Sequence, residues 1–140
     1  IVIAASRRTG SGLISSFAGF GTRAPGLAFL AAIFFFSLAG IPPLAGWYAK
    51  FVMFSSAIGA GDTWAIVLAA IAAVNAVIAF YYYAKVVKTM WFDTAPETPL
   101  IGDPVIPGSL QLSIALATVL VFALGILPNL ADSLGRAAQF

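Results

Sequence analysis

The sequence predicts an all-α integral membrane protein with three transmembrane helices and the end of a fourth, the first complete helix being broken. Of the 140 residues, 61% are hydrophobic and only 9% are charged, whereas a typical soluble domain has about 25% charged residues. The apolar residues therefore exceed what one small core could bury, and lipid is the solvent that suits them. The few charges lie mainly at the ends of long apolar runs, which indicates membrane topology and no nucleic-acid partner.

The composition also excludes several kinds of functional site. The chain contains no cysteine and no histidine. Disulfides, thiolate or imidazole metal sites, iron–sulfur clusters and catalytic triads depend on those residues. We therefore expect no metal site and no redox cofactor within these residues.

The first two segments are predicted to be the end of one membrane helix and the loop that follows it. Residues 1–5 are apolar, and Arg7 and Arg8 follow them, an order opposite to that of a signal peptide. We interpret residues 1–5 as the tail of a membrane helix and the chain as the C-terminal part of a longer protein. Residues 6–23 are rich in glycine and serine and are predicted to be a cytoplasmic loop.

Residues 24–61 form an apolar run that is too long for one straight transmembrane helix. A continuous helix of this length would extend to nearly twice the ~30 Å thickness of the hydrocarbon core. Because proline lacks a backbone N–H and glycine weakens a helix, we expect a hinge in the middle of the run. The predicted hinge residues are Gly40, Ile41, Pro42, Pro43 and Gly46. The run is then either one broken transmembrane helix or a re-entrant hairpin.

The distribution of basic residues favours a single crossing by this broken helix. With one crossing, only Arg136 lies on the opposite side of the membrane from the other basic loop residues. Those residues are Arg7, Arg8, Arg23, Lys85 and Lys88. A re-entrant hairpin would divide them almost evenly, against the positive-inside rule. We therefore expect the basic loops to be cytoplasmic and the C-terminus to lie on the outer side.

Two further charge-free runs predict the remaining transmembrane helices. The runs are residues 64–84, which end just before Lys85 and Lys88, and residues 109–131, and each is close to the ~20 residues that a spanning helix needs. The predicted helices cover residues 64–90 and 109–131. Residues 91–108 between them are rich in proline and are predicted to be a stiff cytoplasmic loop. Residues 132–140 are predicted to be a tail on the outer side.

Lys50 is the one charged residue predicted to lie deep in the membrane, away from the ends of the predicted helices. It lies nine residues from Gly59, near the membrane midplane, where an unpaired ammonium costs at least about 2.5–3.5 kcal/mol. We expect it to face a hydrated or polar interior, or to be neutral much of the time. An ionisable residue beside a broken helix is typical of an ion-coupled site. The alternative is that the prolines only help packing, while Lys50 snorkels or pairs with an acidic residue elsewhere.

Three polar residues are weaker candidates for the same site. Ser37 and Tyr48 are close to the break in sequence, and Asn75 lies within the second predicted span. An asparagine in such a helix more often makes an interhelical hydrogen bond than binds a ligand. The predicted spans contain no acidic residue, so a carboxylate partner for Lys50 would come from outside this sequence.

Residues 36–51 read FSLAGIPPLAGWYAKF and closely resemble the SLAGIPP-x-x-GF-x-x-K-F motif of the antiporter-like membrane subunits of respiratory complex I. The segments Tyr81–Tyr83 and Gly125–Pro128 add support. Within that family the sequence looks most like the N-type subunits, because M-type subunits have a glutamate at the position of Lys50. L-type subunits and the related sodium/proton antiporter subunits also have a lysine and remain alternatives. Trp47 stands where the family usually has phenylalanine.

The resemblance implies a function in energy coupling without redox catalysis in this chain. Lys50 would be an intramembrane proton carrier that helps to couple NADH:quinone electron transfer to proton translocation. NADH, FMN, iron–sulfur clusters and quinone would bind to other subunits of the complex. The M-type and K-type subunits would be its neighbours in an energy-coupling membrane such as the bacterial plasma membrane. A sodium/proton antiporter subunit and a structural scaffold are the alternative functions.

Overall fold

The computed structural model describes residues 1–95 and 107–137, and all the regular structure in these two ranges is helical. The α-helices are α1 (Val2–Thr9), α2 (Phe20–Arg23), α3 (Pro25–Ala39), α4 (Ala45–Gly59), α5 (Thr63–Phe92), α6 (Gly108–Ile126) and α7 (Pro128–Ala137). A short 3₁₀ helix covers Ile14–Phe17. The all-α fold class is confirmed for the described residues, whereas most of the predicted proline-rich loop lies outside them.

Two helices of the described residues are long and apolar enough to cross a membrane. They are α5, with 30 residues, and α6, with 19 residues. Helices α3 and α4 have 15 residues each, which corresponds to about 22 Å and is shorter than the ~30 Å hydrocarbon core. Only together could they cross as a broken helix, so the predicted number of three crossings stays a prediction.

The surface of α5 is that of a helix surrounded by apolar partners or lipid. Its most apolar stretch has no buried residue, and Val77 near its middle is 71% exposed. A water-soluble protein of this size would not leave so long an apolar helix uncovered. The exposure is therefore consistent with insertion in a bilayer.

Residues 6–23, predicted to be a loop, contain more helix than expected. Helix α1 continues to Thr9, and Gly10 ends it in a left-handed conformation with φ of 72°. Arg7 and Arg8 lie in its last turn, where the helix dipole attracts positive charge. The two arginines and the glycine therefore form the end of a helix, although they were predicted to lie in the loop.

The first of two compact units comprises Ile1–Phe35 and Tyr82–Thr118. Its buried core combines alanines, two phenylalanines and a methionine: Ala5, Phe17, Phe20, Ala24, Ala28, Ala31 and Met90. The Gly19 N–H donates a hydrogen bond of 3.3 Å to the Thr89 carbonyl, and Gly21 lies against the ring of Trp91. The segment before α3 is thus packed on the last turns of α5.

The second compact unit comprises Phe36–Tyr81 and Val119–Phe140. It contains the interruption between α3 and α4 together with the C-terminal end of α6. Gly125 of α6 is buried and lies directly against the backbone of Pro43 and Leu44. Because glycine has no side chain, α6 approaches the interruption closely at this point.

Helix α6 ends earlier than the predicted span, which ran to residue 131. The helix stops at Ile126, and a separate helix begins at Pro128. Proline cannot donate the backbone hydrogen bond that would continue α6, but it fits the first position of a new helix. The charge-free run therefore contains two helical segments instead of one.

Candidate functional site: the interruption between α3 and α4

The four predicted hinge residues before Gly46 lie between two helices. Helix α3 ends at Ala39 and α4 begins at Ala45, with Leu44 as its N-cap. Pro42 and Pro43 are both exposed and precede the first turn of α4. Lys50 remains on the second turn of α4, although that helix starts two residues after the prolines.

The C-terminus of α3 is closed by backbone hydrogen bonds of the Schellman type. Gly40 has φ of 90°, a left-handed conformation that glycine adopts without steric cost. The Gly40 N–H donates to the Ser37 carbonyl at 3.0 Å, and the Ile41 N–H donates to the Phe36 carbonyl at 3.0 Å. Two of the four carbonyls that any α-helix leaves without a helical partner are thereby satisfied.

Lys50 provides hydrogen bonds to the other two carbonyls. Its Nζ lies 2.9 Å from the Leu38 oxygen and 2.8 Å from the Ala39 oxygen. These distances are typical of charge-assisted hydrogen bonds. The side chain therefore reaches back from α4 and caps the C-terminus of α3.

This position is electrostatically favourable for an ammonium group. The C-terminal end of a helix carries about half a negative elementary charge from its aligned peptide dipoles. The half-buried Lys50 therefore has a compensating partner without a carboxylate. The sequence predicted that any carboxylate partner would come from outside these residues, and it carried no signal that backbone carbonyls of the same broken helix fill this role.

Ser37 makes a contact across the interruption in the opposite direction. The Gly46 N–H donates a hydrogen bond of 3.2 Å to Ser37 Oγ, and Ser37 is 6% exposed. Leu44, the N-cap residue of α4, has no oxygen-bearing side chain that could accept such a bond. Each half-helix thus supplies a side chain that satisfies backbone groups at the end of the other half-helix.

Two glycines make this arrangement sterically feasible. A Cβ atom at Gly40 would lie 2.9 Å from Lys50 Cδ and 3.3 Å from Lys50 Nζ. A Cβ atom at Gly46 would collide with the backbone carbonyl of Ser37. A larger residue at Gly46 would therefore force the two half-helices apart, whereas one at Gly40 would displace the Lys50 side chain and strain the left-handed backbone.

The remaining predicted site residues do not bond to Lys50. Within the described ranges, the hydrogen bonds of Lys50 go to Leu38 and Ala39 alone. Tyr48 is half-buried on α4, and Asn75 is exposed on α5. A cluster of three or more acidic side chains that could bind a metal does not occur in the described part of the chain.

The comparisons with known proteins agree with the motif around this site. The sequence pattern of a family described as NADH:quinone oxidoreductase/Mrp antiporter, TM, matches residues 1–77. The chain is 43% identical over 122 residues to NADH-quinone oxidoreductase subunit N of Granulibacter bethesdensis, covering 86% of this chain and 26% of that protein. It is 42% identical over 127 residues to the subunit N of Methylobacterium nodulans, covering 90% of this chain and 25% of that protein.

A third relative is named for a different dehydrogenase. It is the F(420)H(2) dehydrogenase subunit N of Methanosarcina mazei, 47% identical over 113 residues, with 79% of this chain and 22% of that protein covered. The chain thus spans about a quarter of the length of these relatives.

The resemblance to N-type antiporter-like subunits is confirmed, and with it the membrane setting that the apolar helices predict. The chain belongs to the transmembrane family of NADH:quinone oxidoreductase and Mrp antiporter subunits.

Proposed function

We propose that this chain is part of an antiporter-like subunit in the membrane arm of NADH-quinone oxidoreductase, where Lys50 carries protons during coupled translocation. The observation that supports this proposal most directly is the docking of Lys50 Nζ on the Leu38 and Ala39 carbonyls. It gives an ionisable group a defined position at an interruption in an apolar helix. Such interruptions are characteristic of ion-coupled membrane proteins.

The chemistry of the lysine amine suits this role. An ammonium group has three N–H donors, and two of them suffice for the carbonyls of Leu38 and Ala39. When the third N–H releases its proton to water or to a neighbouring group, the neutral amine keeps two N–H donors. The same docking position can therefore serve both protonation states, and the lone pair then faces the direction from which the next proton arrives.

The wider assignment rests on the relatives. We infer that the chain performs no redox chemistry and that NADH, FMN, iron–sulfur clusters and quinone bind to other subunits. Relatives of this chain are named for two different dehydrogenases, which supports the view that the electron donor is a property of other subunits. The M-type and K-type subunits are the proposed neighbours, and the basic loops are proposed to be cytoplasmic.

Two alternative functions each have some support. The family description includes Mrp antiporters, which keeps a sodium/proton antiporter subunit as a second candidate. The close packing at Gly46 and Gly125 supports a structural scaffold as a third. Sodium-dependent transport by a complex without an NADH-oxidising arm would favour the antiporter, and full activity of Lys50→Met would favour the scaffold.

The test of the leading proposal is Lys50→Ala in the assembled complex, studied in inverted membrane vesicles. Proton translocation per electron pair should fall, while native electrophoresis shows normal amounts of complex. Lys85→Ala is the matched control, since Lys85 is an exposed lysine on α5 outside the interruption. A normal proton-to-electron ratio in assembled Lys50→Ala complex would contradict the proposal.

A further inference from the structure

We propose that Ser37 is a positioning residue for Lys50. The Ser37 hydroxyl holds the first turn of α4 against the last turn of α3, and this contact determines where the lysine amine docks. The inference rests on the proposed function of Lys50 and adds a second residue to that site. Ser37 itself is not proposed to carry a proton.

The location of Ser37 is unusual for a serine in an apolar helix. A serine inside a helix commonly bonds to the backbone of its own preceding turn, whereas here Oγ accepts the N–H of Gly46 from the next helix. Gly46 is the second residue of α4, so its N–H belongs to the first turn, which has no acceptor within the helix. Ser37 therefore acts as an N-terminal cap that is supplied by the other half-helix.

The two contacts across the interruption are adjacent on both half-helices. Lys50 follows Gly46 by four residues, which places both on one face of α4, one turn apart. On α3, Ser37 directly precedes Leu38 and Ala39, whose carbonyls accept the lysine N–H groups. The serine contact and the lysine contact therefore fix the separation of the same two turns.

Loss of the hydrogen bond between Gly46 and Ser37 would disturb the hydrogen bonds of Lys50, because those bonds tolerate only a small increase in length. The bonds from Lys50 Nζ are 2.9 and 2.8 Å long, and N–H···O hydrogen bonds extend to about 3.2 Å. A shift of the first turn of α4 by about 1 Å would break at least one of them. Misplacement of a reacting group on that scale can reduce a rate by about two orders of magnitude.

The glycine at position 46 allows α4 to approach α3 closely enough for the hydrogen bond to Ser37. A side chain at this position would collide with the Ser37 carbonyl, so only glycine brings its N–H within reach of Ser37 Oγ. The pair is separated by nine residues in sequence and spans the whole interruption. A residue that served only to fill space would not need a hydrogen-bonding group at this point.

The experiment compares Ser37→Ala and Ser37→Thr in the assembled complex in membrane vesicles. We expect Ser37→Ala to lower the rate of proton translocation at least about threefold toward that of Lys50→Ala, while Ser37→Thr restores it because threonine keeps the acceptor oxygen. Combining Ser37→Ala with Lys50→Ala should add no further loss, since the serine acts through the lysine. Ser55→Ala, at an exposed serine on α4, is the matched control.

The other possible results distinguish failure of this inference from failure of the proposed function. If Lys50→Ala is defective while assembled Ser37→Ala translocates protons normally, this inference fails and the proposed function stands. If Lys50→Ala itself is normal, the proposed function fails first. Equal losses in Ser37→Ala and Ser37→Thr would also overturn the inference, because the hydroxyl would then not matter. Should Ser37→Ala fail to assemble, Ser37→Val, which has the shape of threonine without its acceptor oxygen, replaces it, and translocation equal to that of Ser37→Thr would overturn the inference.

Discussion

Lys50 belongs to one helix but completes the hydrogen bonding of another. Its Nζ satisfies the carbonyls of Leu38 and Ala39, which would otherwise require water or another donor at membrane depth. A carbonyl without a partner costs about 1–3 kcal/mol where water cannot reach it. The lysine therefore stabilises the interruption of the helix as well as carrying an ionisable group.

Gly40 allows the lysine side chain to pass the end of α3, and Gly40→Ala should interfere with it. The alanine Cβ would meet Lys50 Cδ at 2.9 Å, and a left-handed conformation costs a non-glycine residue about 1–2 kcal/mol. We expect lower thermal stability of the complex and weaker proton translocation. Gly59→Ala is the control, since a Cβ there meets nothing within 4 Å. Equal behaviour of the two variants would show that Gly40 has no special role.

At the scale of helices, the interruption divides one apolar run into two helices of 15 residues. Gly40, Pro42 and Pro43 explain why the helix is interrupted, but they do not explain what holds the end of α3 and the start of α4 in place. That function is shared by the side chains of Ser37 and Lys50 and by the contact of Gly125 with Pro43 and Leu44. The interruption is thus an ordered structure that is stabilised by its own hydrogen bonds and packing.

Gly125→Ala tests the contribution of α6 to this structure. The new Cβ would collide with the carbonyl oxygen of Pro43 and with the backbone of Leu44, and overpacking of this kind commonly costs about 1–3 kcal/mol. We expect a smaller amount of intact complex in native electrophoresis and a lower thermal transition. Gly135→Ala, on α7 with open space around its Cβ, should behave like the unmodified protein. The role of α6 would be contradicted if Gly125→Ala were equally stable.

At the scale of the whole molecule, the large exposed apolar surface requires a membrane or neighbouring subunits. Large apolar side chains along the length of α5 are exposed, including Trp64, Val74, Val77 and Tyr81. The membership of a transmembrane family explains why such a surface is compatible with a stable protein. In a bilayer, burial of these side chains in water-free surroundings replaces burial in a core.

Val77 offers a test of this environment. Val77→Lys would place a charge near the middle of α5, at a cost of about 2.5–3.5 kcal/mol for membrane insertion, whereas Val77→Leu keeps the surface apolar. We expect the lysine variant to be less abundant in carbonate-washed membranes than the leucine variant. If both variants inserted and assembled equally well, the exposed middle of α5 would have to face water or a polar partner.

Much of the fold could be predicted because it depends on composition and local chemistry. The scarcity of charge predicts the membrane, glycine and proline predict where an apolar run is interrupted, and Lys50 is conspicuous as the one charge inside such a run. The ends of helices were less predictable. Helix α1 extends beyond residue 5 and α6 stops before residue 131, since capping glycines and prolines act within a turn or two and charge patterns average over longer stretches.

The amino-acid sequence by itself therefore determined the solvent and the fold class, and it marked Lys50 as the candidate site of ion chemistry. Only the tertiary structure decided which groups Lys50 meets and that Ser37 caps the opposite half-helix. The physical reason is that backbone carbonyls and N–H groups are present at every residue and carry no sequence signal. Whether they become partners depends on how the chain turns between Ala39 and Ala45, a geometry that the two half-helices and Gly125 establish together.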